Sequence, residues 1–173
     1  MSLQNLALAQ KAIAQFPGWS EPEDETGYCW FNAPLAITGV IEQGFVLHGG
    51  YLKEVYDANV TFELNFTIPG QRKRCPIARI DWKALRGGHS NPKRSGIAVS
   101  GQRVSDSHHH AFDLNWVESE SRMRFGNLPM AEDIPQEIQS FESLLPFVGK
   151  SFRINNIDVV TPPKWEYTLF DHG

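Results

Sequence analysis

Residues 60–67, VTFELNFT, place Val60, Phe62, Leu64 and Phe66 in strict alternation with Thr61, Glu63, Asn65 and Thr67. Only a period of two gathers those four apolar side chains on one face, so this stretch predicts a β-strand with one buried side. Pro69-Gly70 follows, and fits the central pair of a type II turn because Pro presets the first φ and Gly accepts a positive second one. RKRCPIARIDW then returns antiparallel, with Ala78, Ile80 and Trp82 toward the core, Arg79 and Asp81 away from it, and Pro76 restricting its start.

A lone hairpin is marginal in water, so more strands must join this pair. From Leu35, LAITGVIEQGFVLHGG reads as one or two strands interrupted near Gln43-Gly44. RGGHSNPKRSG reads as an exposed loop, IAVSG as a short strand, and HHHAFDLNW as a strand that completes the sheet. Leu3, Leu6, Ile13 and Phe16 predict a first helix of about 14 residues that ends before Pro17-Gly18, and GWSEPEDETGY an acidic loop. Asp133 with Gln136 has capping-box spacing ahead of a second helix striped by Ile138, Phe141, Leu145 and Val148, which Pro146 bends or ends. The tail RINNIDVVTPPKWEYTLF has strand-like texture broken by Pro162-Pro163. The fold class that follows is α+β: one domain over residues 1–173, with a mainly antiparallel sheet, an N-terminal helix and a helix in the C-terminal half.

The 41% hydrophobic and 21% charged content of the 173 residues belongs to a folded chain rather than a disordered one. No run of about 18 apolar residues and no basic leader occurs, and Cys29 and Cys75 are too few for a disulfide framework. These features predict a cytoplasmic protein with no membrane segment and with both thiols buried as small hydrophobes. The net charge of −4 conceals an asymmetry. Residues 71–124 hold 11 Lys and Arg against 5 Asp and Glu, a net of +6, and the remainder carries −10. The basic middle could attract a polyanion, unless the acidic flanks fold back and neutralise it.

Four of the six histidines lie in that basic middle: His89 in GGHSNP, and His108, His109 and His110 in a row. If 108–116 is extended, His108, His110, Phe112, Leu114 and Trp116 share the core-facing side, with the two histidines at its wet end, and His109, Ala111, Asp113 and Asn115 share the other. The loop at 87–92 could bring His89 to the same place. Three uses of this cluster compete. Paired imidazoles can serve as general base and general acid in cleaving an RNA phosphodiester, with Arg79, Arg86, Lys93, Arg94 or Arg103 holding the phosphate charge and Asp113 fixing a tautomer. His108 and His110, with His89 or Asp113, could instead bind a divalent transition metal, although no H-E-x-x-H or Cys-x-x-Cys supports that. Or the histidines are polar strand-edge residues with ordinary hydrogen bonds.

Other constellations are weaker. EPEDE at 21–25 reads as a solvated acidic loop, no G-x-S-x-G elbow accompanies Ser90, Ser95 or Ser107, and no phosphate-binding glycine motif is present. Trp82, Trp116 and Trp165 read as core anchors before base-stacking platforms.

RID at 79–81, HSN at 89–91 and HHH at 108–110 resemble, over about 35 of the 173 residues, the TumE-like toxins of bacterial toxin–antitoxin modules, with Ile80 where an aromatic is expected. The resemblance implies a compact α+β toxin acting on RNA and restrained by a protein partner, with His89, His108, His110, Arg79 and Asp81 at the matching positions. The expectation is therefore a histidine-dependent RNA-acting protein needing no cofactor, in which His108 or His110 takes the 2′-hydroxyl proton, His89 donates to the leaving oxygen, and Arg79 or Arg86 stabilises the intermediate. The alternatives are a binding or regulatory module that recognises nucleic acid or an acidic protein, and a metal-binding protein.

Overall fold

In a computed structural model, which describes residues 1–124 and 127–166, the chain runs through α1 (Leu3–Leu8), β1 (Ala12–Ile13), β2 (Tyr28–Ile37), β3 (Val40–Leu52), β4 (Val60–Thr67) and β5 (Arg74–Trp82). After a long connection come β6 (His108–His110), α2 (Phe112–Asn115), β7 (Trp116–Val117), β8 (Arg122–Met123), β9 (Glu132–Asp133) and α3 (Phe141–Phe152). β1 to β6 and then β9 form one sheet in that order, every pairing antiparallel, and β7 and β8 form a separate pair. The single α+β domain with a mainly antiparallel sheet is thus as expected, with short helices.

The hairpin of β4 and β5 stands where the alternation places it, joined by a turn in which Gly70 has φ +81° and the amide of Gln71 donates to the carbonyl of Ile68 at 2.9 Å. The preceding strands differ from expectation. β2 begins at Tyr28, and the break between β2 and β3 falls at Thr38-Gly39, both with positive φ, rather than at Gln43-Gly44. Gly44 stays within β3 at φ +80°, where a Cβ would lie 2.5 Å from the carbonyl oxygen of Thr67.

The first helix is only six residues long, because Lys11 turns inward and its Nζ donates to the carbonyls of Ala7 at 2.9 Å and Ala9 at 2.6 Å, closing the helix end. IAVSG is a run of turns, and the tail over residues 154–166 holds a single 3₁₀ turn at Ile157–Val159 rather than a strand; residues 167–170 of that expectation lie outside the described residues. Asp133 does not cap α3. It sits in β9, and its Oδ1 accepts from the amide of Ser105 at 2.6 Å. Ser140 is the cap, in a reciprocal capping box with Ser143, and Pro146 is carried inside α3 without ending it. Cys29 is buried, whereas Cys75 is only half-buried.

The inner face of the sheet carries the core. Phe31, Phe62, Ile80 and Trp82 are fully buried on it, with Phe62 against Phe141 of α3 and the Trp82 indole donating to the carbonyl of Ile138 just ahead of that helix. Each such side chain contributes about 2 kcal/mol by leaving water. The outer face is covered differently. The β5–β6 connection lies over its β5–β6 end, tied by Asn91, which bonds the backbone of Val99 and Ala131, while Asn115 bonds that of Ala111 and Met130. Trp30, Asn32, His48, Thr61 and Glu63 on the outer face of β2 to β4 are partly exposed.

Candidate functional site

The site stands on the outer face beneath the β5–β6 connection, and strand parity builds it. Trp82, Ile80 and Ala78 face the core, so Asp81 and Arg79 face outward on β5. The register sets Asp81 opposite His108, Arg79 opposite His110 and Ile80 opposite His109. His108 and His110 therefore join the outer face, and His109 turns into the core against Phe147 and Phe152, where burial and then the His110 charge press its pKa down to about 4.

This reverses the expected orientation of 108–116. Extended structure ends at His110, and Phe112, Leu114 and Trp116 do not continue the strand, because α2 begins there. Asp113, offered as a tautomer-fixing carboxylate, lies in α2 beside a cavity on the His109 side, away from His89, His108 and His110. Asp81 occupies the position expected of it.

His89 arrives from the β5–β6 connection. Its ring stacks on that of His110, with centroids 5.2 Å apart and 12° between planes, and meets His108 edge-on at 4.9 Å. Gly88 makes this possible: a Cβ there would lie 1.7 Å from the carbonyl oxygen of Val104, so only glycine lets the chain pass so close.

One nitrogen from each of the three rings lies within 4.8 Å of the other two. Several of the ring nitrogens are engaged. His108 Nδ1 bonds the carbonyl of Ser105 at 2.8 Å, and His110 Nε2 lies 2.9 Å from the Arg79 guanidinium and 3.6 Å from Asp81 Oδ2. His89 Nε2 and His110 Nδ1 are buried and have no hydrogen-bond partner among the described residues. Buried polar atoms are rarely left so.

Asp81 is the hub. It receives Arg79 Nε at 2.8 Å and the Thr61 hydroxyl at 3.0 Å, and stands 3.4 Å from His108 Nε2. Burial alone would raise its pKa, but hydrogen bonds from His108 and His110, the Arg79 charge and the Thr61 hydroxyl outweigh that and hold the carboxyl far below the usual range. Burial lowers His89 and His110, with partial compensation from the Ser90 backbone and from Asp81 respectively. Neutral imidazoles are what these two shifts favour.

A pocket of about 420 Å³ opens over the cluster, walled by Thr61, Arg79, Asp81, Arg86, His89 and His108. Of the five basic residues expected to hold phosphate, Arg79 and Arg86 are on it. Lys93 and Arg94 flank a separate shallow depression with Ser95 and Ser100, and Arg103 is exposed, pairing through its backbone with Ser90. Lys93 and Arg94 are not brought to the histidines, and Arg103 lines neither pocket although its backbone runs beside Ser90.

No family model, curated protein or solved structure matches the chain. What the pocket can do rests on its own chemistry, and the likeness to TumE-like toxins rests on its short motifs. Thr61 and the Ser105 carbonyl are contributors that the histidine pattern did not single out. Thr61 carried a signal, since it stands on the polar side of the alternating strand; Ser105 acts through its backbone and left none.

Proposed function

We propose that His89, His108 and His110 bind one divalent transition-metal ion, and that the pocket above it takes a phosphate ester, making the protein a metal-dependent phosphoester hydrolase. One observation carries this reading: two buried imidazole nitrogens, His89 Nε2 and His110 Nδ1, lack partners in a cluster whose ligand atoms lie within 4.8 Å. A tetrahedral ion with bonds of about 2.0–2.1 Å would draw the nitrogens to roughly 3.4 Å apart, a modest closing of the rings.

The surrounding groups support it. Ligating histidines characteristically donate their second N–H to a carbonyl or carboxylate, and the Ser105 carbonyl and Asp81 stand in those places for His108 and His110. With an ion on Nδ1 the His110 proton would move to Nε2, where it would face Asp81, and Arg79 would give up its contact with that nitrogen while keeping its bond to Asp81. A bound ion would polarise a phosphoryl oxygen and lower the pKa of a coordinated water. Arg79 and Arg86 are placed to hold the remaining charge of the ester, and the Asp81 hub fixes the direction of two rings.

Titration with Co²⁺ tests it. The expected outcome is visible ligand-field absorption saturating at one equivalent, lost in His89→Ala and His108→Ala, with affinity reduced about 10–100-fold in Asp81→Asn. Unchanged cobalt spectra and affinity in both histidine variants would rule the centre out.

One observation favours a metal-free version, namely that both nitrogens of His108 face oxygen acceptors, Ser105 O at 2.8 Å and Asp81 Oδ2 at 3.4 Å, which suits a doubly protonated ring. In that version His89 Nε2 takes the proton of an RNA 2′-hydroxyl, the 2′-oxygen bonds phosphorus as the P–O5′ bond breaks, and His108 protonates the departing 5′-oxygen. Cleavage that persists after exhaustive chelation selects it.

A further inference from the structure

The two polar rows that form the floor of the pocket do not stop at its edge. On the outer face, Asp81 is followed across the sheet by Thr61, Gly50 and Trp30, and Arg79 by Glu63, His48 and Asn32. The second row is bonded to its neighbours on β2: His48 Nδ1 meets Asn32 Oδ1 at 2.9 Å, and His48 Nε2 meets the Tyr28 hydroxyl at 3.0 Å.

Gly50 explains the position of Tyr28. A Cβ at residue 50 would lie 2.2 Å from the Tyr28 hydroxyl oxygen and within 2.9 Å of its ring, so the phenol rests where a side chain of β3 would otherwise stand. The ring is 38% exposed, and Trp30 stacks beside His48 with 27° between planes. A partly exposed aromatic ring lying on a sheet, with its polar tip anchored, is a surface on which a planar base can stack. Gly50 and Asp81 lie two strands apart, about 10 Å, which is the reach of a neighbouring nucleotide rather than of the phosphate itself.

We propose that Tyr28, laid over Gly50 and anchored by His48, is the stacking platform for an unpaired base next to the phosphate held at the histidine pocket, so that the substrate is single-stranded RNA. This rests on the reading of that pocket as a phosphoester site. Glu63, between His48 and Arg79 in the second row, offers carboxylate oxygens that suit ribose hydroxyls and exocyclic amines, and would repel a second phosphate. A paired base could not lie down on the ring, so duplexes are excluded.

The probe is an unmodified RNA hexanucleotide, with binding read by fluorescence anisotropy in the cold on the zinc-loaded protein and the probe checked intact on a gel after each titration. Tyr28→Ala is expected to weaken binding roughly tenfold, and Tyr28→Phe to stay within about twofold because the ring is kept. A set of hexamers with one abasic position each gives a readout independent of the variant's folding: one position should lose a similar factor on the unaltered protein and lose nothing further on Tyr28→Ala. The platform is overturned if no abasic position matters, or if the hexamer and its duplex bind equally. Absence of RNA binding overturns it too and turns the search toward a protein ligand for this face. Cleavage of an unmodified dinucleotide reports on the pocket separately. A protein that cleaves it but ignores Tyr28 keeps the pocket and loses the platform; one that binds through Tyr28 but neither cleaves nor takes up cobalt keeps the platform and loses the pocket.

Discussion

At the level of single residues, the molecule spends unusual groups on position. Gly88→Ala would force a methyl into the carbonyls of Val104 and Ser105, which are backbone and cannot swing aside as a flexible side chain would. The expected cost is about 1–3 kcal/mol, with His89 displaced from the His110 ring; a thermal melt reads the first and imidazole NMR shifts the second. Lys11 is the opposite case, a cation buried to 1% exposure whose pKa is pressed down to about 8 by burial and then by the Arg153 charge. Between pH 8 and its ordinary 10.5 the unfolded chain holds this proton and the folded chain releases it. Stability therefore rises with pH across that window. The gap in unfolding free energy between the unaltered protein and Lys11→Met should move in favour of Lys11 by up to about 3 kcal/mol from pH 8 to 10.5, measured by denaturant melts.

Among the elements, the strands were readable and several ends were not. β4 and β5 could be read because alternation and a Pro-Gly turn act within about twenty residues, and both were confirmed with their inward and outward faces correct. β6 could be located but not oriented. Its three residues are too few to show a period, and the apolar alternation that followed belongs to α2 and β7, where Phe112 and Trp116 stack on each other. The outward pairing of His108 and His110 follows instead from β5, whose parity was legible. The N-terminal helix was overextended because alanine and leucine favour a helix locally, while Lys11 capping two carbonyls is a tertiary event. The start of α3 was misplaced by seven residues, since two capping-box spacings occur in one stretch and only packing chooses Ser140. Ser140→Ala should accordingly cost about 1 kcal/mol in denaturant melts, and Gln136→Ala little.

For the molecule as a whole, charge segregation in the sequence was a coarse guide. The basic middle does supply the pocket, but Lys93 and Arg94 sit elsewhere on the surface, Arg103 lines neither pocket, and the charges that act on His89 and His110 are those of Arg79 against Asp81. Among the described residues no helix is long and apolar enough to cross a membrane. Connectivity separates two regimes. β2 to β5 join through short turns, each strand against the one before it, whereas 25 residues intervene between β5 and β6. Closing that loop is slower and costs more entropy than closing a hairpin. Amides of His89, Asn91 and Val104 should then exchange with deuterium by sub-global opening, well before those of Phe62 and Ile80.

That long excursion also means that floor and roof are made by different stretches of chain with different tolerances. The floor is woven into the sheet and cannot change without unmaking it, while the roof is tethered at Trp82 and His108 and tied to the chain beyond β6 by Asn91 on Ala131, by the Ser105 amide on Asp133 and by the Ser107 carbonyl on Ile134. A lineage could therefore exchange the roof for another of similar length and inherit the same anchoring carboxylate and guanidinium beneath it, acquiring a new selectivity while the barrier to folding stays where it was.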